Sequence, residues 1–112
     1  MSNVYNEAHK LAKAIKESDE YKGYVEKKEA AYSNEKNKEM IENFMNKVLE
    51  VQREQLSGKE IDKEKIEKLN KLEDVLMLNP AIKEFFAAQL RFSQMVQDIN
   101  NIIGEAIDIE ED

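Results

Sequence analysis

His9 is the only imidazole in the chain, and cysteine is absent. A zinc site built on histidine or thiolate needs several such ligands. A histidine that shuttles protons needs an orienting partner. At helical spacing His9 has Tyr5 and Lys13 beside it, which are neither. It therefore reads as an ordinary surface or half-buried residue. Acidic side chains are plentiful, 24 in all, but their spacing is that of solvated helix faces. Glu60, Asp62 and Glu64 alternate without the glycine and closing glutamate of a calcium loop. Gly23, Gly58 and Gly104 stand alone, so no glycine loop can cradle a phosphate. No local pattern sets two carboxylates across a cleft for hydrolysis. The missing cysteines exclude disulfides, thiolate nucleophiles and cysteine-ligated clusters. The residues thus predict a non-enzyme with no catalytic residue, no metal site and no cofactor.

The basic residues offer the remaining chemistry. Lys10, Lys13 and Lys16 recur every three residues and form a candidate nucleic-acid or acidic-partner face. Lys63, Lys65, Lys68 and Lys71 are interleaved with Glu64, Glu67 and Glu73, the pattern of helical salt bridges. A net charge of −7 disfavours general binding to phosphate backbones. Tyr21, Tyr24 and Tyr32 could stack on bases, but their positions suit core or interface packing better. Met40, Met45, Met77 and Met95 read as fillers of apolar faces.

These side chains must be carried by helices. Three glycines and one proline in 112 residues argue against a turn-rich β fold. Five helical segments are predicted. The first covers about residues 3–17, with Val4, Ala8, Leu11 and Ile15 as its stripe. Ser18 or Asp19 caps a second, which runs to Tyr32 and is weakened by Gly23. The third starts after Ser33 and Asn34 and carries Ile41, Phe44, Val48, Val51 and Gln55. Gly58 stands where a left-handed C-terminal cap belongs. Asp62 caps a fourth, with Ile66, Leu69, Leu72, Val75 and Leu76. Pro80 opens the fifth, which runs to Ile107 with Phe85, Phe92, Ile99 and Ala106 seven apart. The expected architecture is an all-α, multihelical bundle in one domain spanning residues 1–112, with residues 105–112 as a frayed acidic tail.

Two of these helices are long and carry broad apolar faces that the shorter segments do not easily cover. A second subunit can cover them, so a homodimer or higher oligomer is expected, intertwined or side by side. The predicted association face is Phe44, Val48, Phe85, Phe92, Val96 and Ile99. No stretch approaches the ~20 apolar residues of a membrane span, and the start of the chain lacks a signal-type apolar run. Membrane insertion is not expected, and a cytoplasmic location is.

Several short stretches together resemble the YlbF/YmcA-like family of small helical bacterial proteins, which includes the YheA-type proteins. They are Leu11-Ala12-Lys13-Ala14-Ile15 with Ser18-Asp19-Glu20-Tyr21, then Phe44, then residues 55–61 from Gln55 to Ile61. Asn79-Pro80, Ile82, Phe85, Ala88, Gln89 and the run from Asp98 to Ile103 complete the set. The resemblance implies an intracellular all-α protein that associates through its long helices and regulates without catalysis. In the better-known branches it implies accessory factors for competence, sporulation and biofilm formation. Those factors assemble with related subunits and influence RNA processing by a membrane-attached endoribonuclease. Some such complexes hold an iron–sulfur cluster on cysteines; with no cysteine here, that cluster does not carry over.

Overall fold

The computed structural model describes residues 3–107. These residues form five helices and no strand: α1 Val4–Lys16, α2 Asp19–Tyr32, α3 Glu35–Leu56, α4 Lys63–Leu76 and α5 Pro80–Ile107. The predicted boundaries hold to within a residue or two, and the reasons lie in the caps. Asn3 Oδ1 accepts from the Tyr5 amide, Asn34 Oδ1 from Asn37, and Asp62 Oδ1 from Glu64. Each satisfies a donor that has no partner within its helix. Ser18 serves both α1 and α2. Its hydroxyl donates to the Ile15 carbonyl at 2.6 Å and accepts from the Tyr21 amide at 3.1 Å. Helix α2 forms across Gly23, the position expected to weaken it. At the end of α3, Gly58 has φ +80°. Lys59 N–H donates to the Glu54 carbonyl and Gly58 N–H to Gln55, the paired bonds of a Schellman cap.

The chain divides into two compact units, residues 28–84 and residues 1–27 with 85–112. In the first, α3 and α4 pack against each other as a hairpin. Its ends are tied. Lys65 near the start of α4 reaches Glu50 and Glu54 near the end of α3, and Asn79 Nδ2 donates to Asn37 Oδ1 at 3.0 Å. Ala31, Ile41, Phe44, Val51, Leu76 and Ile82 are buried. In the second unit, α2 and α5 are joined by aromatic rings. Tyr24 lies 5.9 Å from Phe85 and 5.3 Å from Phe92, and Tyr21 lies 5.4 Å from Phe92. Phe85 and Phe92 share a helix face because they are two turns apart. Tyr21 and Tyr24 are therefore packing residues, as their spacing suggested. The acidic tail from Asp108 onward lies outside the described residues.

Asn79 has a double role. Its Oδ1 accepts from the Ala81 and Ile82 amides, capping α5, while its Nδ2 holds Asn37. Asn79→Ala removes both and should cost about 1–2 kcal/mol in urea unfolding. Asn79→Asp keeps the cap acceptor and should recover the larger part. Equal losses in both variants would place the weight on the Asn37 bond instead.

Candidate interaction surface

Lys10, Lys13 and Lys16 are all exposed on α1. Lys10 is paired with Glu7 one turn earlier, at 3.3 Å. A step of three residues falls short of a full turn by about 60°, so the three ammonium groups fan around the helix rather than converge. His9 is likewise exposed. The four methionines singled out above are all half-buried, as fillers of apolar faces would be.

The described residues include two shallow clefts among their surface features. One, of about 280 Å³, is lined by Asp19, Glu20, Gly23, Ala88 and Arg91. The other, of about 150 Å³, is lined by Lys47, Glu50, Val51, Lys65, Lys68 and Leu69. Each mixes opposite charges at an open surface. Among the described residues, no group of three or more His, Cys, Asp or Glu side chains is placed to hold a metal ion. Nor do the described residues leave a buried side-chain N or O atom without a hydrogen-bond partner.

Lys65 lies in the second of these clefts. Hydrogen bonds from its ammonium to Glu54 and Glu50 raise its pKa above the ordinary 10.5. The alternating Lys and Glu of α4 suggested ion pairs along that helix. Lys65 instead bridges across to α3, because the hairpin brings two carboxylates one turn apart to the same ammonium. A raised folded pKa means that the contribution is fully present below about pH 10.5 and lost as pH rises through the folded value. The stability difference between wild type and Lys65→Met should therefore shrink to nothing as pH climbs past that value. Urea unfolding midpoints across alkaline pH check this; a constant difference would assign the effect to packing of the lysine stem.

The six residues of the predicted association face are not equivalent. Phe44 and Phe85 are buried within the chain, at 9% and 1% exposure. Val48, Phe92, Val96 and Ile99 are half-buried. The two phenylalanines fill the chain's own core, so what remains open on these stripes is their flanks and distal ends. Sequence periodicity marks every apolar stripe alike and does not say which one its own chain covers. The large apolar side chains that are exposed include Val4, Tyr5, Leu90, Ile102, Ile103 and Ile107 in one unit and Leu49, Leu56, Ile61, Val75 and Leu78 in the other. None of these residues is in the predicted association face, which was drawn from the centres of the periodic stripes. None of the described helices is long and apolar enough to cross a membrane.

Comparison with known proteins follows the fold. A UPF0342 protein of Caldicellulosiruptor saccharolyticus is 36% identical over all of this chain and 93% of its own length. A UPF0342 protein of Desulfitobacterium hafniense is 41% identical over 94% of this chain and 85% of its own. A solved structure of a protein of unknown function, DUF964, from Bacillus stearothermophilus superposes with a TM-score of 0.83. It covers 94% of this chain and 92% of that one at 19% identity, a likeness of fold. The family model described as "Control of competence regulator ComK, YlbF/YmcA" matches residues 4–108. That span is nearly the whole chain, and the family is a regulatory one rather than a known enzyme family. The chain therefore belongs to the YlbF/YmcA family.

Proposed function

We propose that this chain is a non-catalytic regulatory adaptor, acting by helix-mediated association with other protein subunits. Copies of itself and related family members are the first such subunits. The family's description as control of a competence regulator supports competence as the process. The finer reading places it, with sporulation and biofilm formation, upstream of RNA processing by a nuclease to which the assembled subunits dock. The observation that carries the proposal is the set of large apolar side chains left open on helix faces. Contiguous exposed apolar surface marks protein contacts, and the exposed isoleucines Ile102, Ile103 and Ile107 stand close together along α5.

Affinity co-purification from a native host, with and without nuclease treatment, tests the adaptor reading. Related helical subunits or an RNA-processing nuclease should be recovered, and recovery should survive nuclease treatment. Loss of every partner on nuclease treatment would replace the adaptor with an RNA-tethered protein. Recovery of no other protein would remove the adaptor role.

A further inference from the structure

Lysine and glutamate alternate along α4, yet among the described residues its cations make no ion pair along their own helix. Lys65 crosses instead to Glu50 and Glu54 of α3. The bridge deprives Lys47 of a partner. Three and four positions from Lys47 stand Asn43, Phe44, Glu50 and Val51, so Glu50 is the one acid its own helix offers, and Lys65 holds it. Among the described residues neither Lys47 nor Lys68 has an ion-pair partner. Both are exposed, and both line the cleft of about 150 Å³ on the α3–α4 hairpin.

The lining of that cleft carries the ammonium groups of Lys47, Lys65 and Lys68 against the single carboxylate of Glu50. On a chain of net charge −7 this is a local excess of positive charge. Since Lys65 is satisfied by its two carboxylates, the uncompensated charge sits on Lys47 and Lys68. The lysines of α1 fan around a single helix, whereas here a second helix completes the group. The rest of the lining is apolar, with Val51 8% exposed and Leu69 half-buried. Pockets for whole small molecules run to roughly 300–1,000 Å³, so a cleft of this size admits one side chain rather than a cofactor.

Resting on the adaptor reading above, we propose that the cleft between α3 and α4 receives an acidic segment of a partner protein. A glutamate or aspartate carboxylate meets Lys47 and Lys68, and an adjoining apolar side chain covers Leu69 and Val51. Charge complementarity carries this choice of occupant. A nucleic-acid strand fits less well. Its phosphates would meet the carboxylates of Glu50 and Glu54 beside the lysines, and like charges brought together oppose binding. Its backbone also brings no apolar side chain to the floor. The net negative charge of the chain repels an acidic segment elsewhere on the surface, so the cationic cleft fixes where such a segment lands.

Fluorescence anisotropy with the full chain tests this. The probe is a short labelled helical peptide with glutamates and leucines on one face; its glutamine counterpart and a short single-stranded RNA are the comparisons. The wild type should bind the acidic peptide with a Kd on the order of 100 µM, since the ion pairs are exposed, and added salt should weaken binding. Lys47→Glu and Lys68→Glu should each weaken it about 10-fold, with helical circular dichroism retained. Lys36→Glu makes the same charge change at an exposed position of α3. It lies about 16 Å along the helix from Lys47, beyond a Debye length of about 10 Å at 0.1 M salt, and should leave binding unchanged. Affinity indifferent to both cleft variants, or equal for the glutamine peptide, would overturn the cleft as the site. RNA bound more tightly than the peptide through the same two lysines would overturn the acidic protein segment as occupant. No binding of the peptide at about 1 mM protein would overturn the proposal while leaving the adaptor reading to co-purification.

Discussion

Phe85→Ala should lower the free energy of unfolding by about 3–5 kcal/mol, the range for a buried phenylalanine truncated to alanine. Phe85 is 1% exposed and is among the largest fully buried side chains. Its ring meets Tyr24 at 5.9 Å and Phe86 at 5.6 Å. Removing it deletes the transfer energy of the ring and leaves a cavity whose lining loses its contacts. Tyr24 cannot easily swing in to fill the space, because its ring is already stacked on Phe92. Urea unfolding followed by circular dichroism measures the loss. Leu90→Ala is the control on the same helix. At 69% exposure it should change stability by no more than about 0.5 kcal/mol. If both changes cost under about 1 kcal/mol, the aromatic cluster would not be the anchor of α2 on α5.

Ile41→Ala should cost about 2–5 kcal/mol, and Ile41→Val about 0.5–1.5. Ile41 has no exposed surface, and neither has Leu76, the buried residue of α4. The two variants form a graded series at one site, so their ratio separates a cavity from a general loss of helix propensity. Valine and alanine differ in propensity by well under 1 kcal/mol, and in the opposite sense to the predicted order. A valine variant less stable than the alanine variant would reverse the argument and assign the site to propensity. Against a typical total of about 5–15 kcal/mol for a domain, the alanine change removes a large share of the stability. Leu56→Ala, at 89% exposure on the last residue of the same helix, should be silent by comparison. Equal hydrophobicity at the two positions makes the contrast a measure of burial alone.

The contrast between Ile41 and Leu56 also marks what was legible in the sequence. Helix limits were legible because local chemistry writes them. Asn34 and Asp62 accept from the amides two or three residues on, Pro80 starts a helix, and Gly58 ends one. Each depends on neighbours within a few residues, so no long-range contact is needed to read it. The absence of thiols and the solitary histidine were fixed by composition. The resemblance to the YlbF/YmcA family rested on short stretches in order, and the match over residues 4–108 bears it out.

Tertiary structure decided the rest. Phe85 and Ile102 both belong to the broad apolar pattern of α5 and look alike in it, yet one is buried and the other open. Lys65 looks like a partner for its neighbours on α4, yet its ammonium goes to α3. In both cases the local sequence is satisfied by more than one environment. The sequence by itself determined where the helices begin and end and which faces are apolar, because caps and periodicity act over one or two turns. Which apolar face is core, and which is left open, was decided by the tertiary structure, because burial depends on residues distant in the chain.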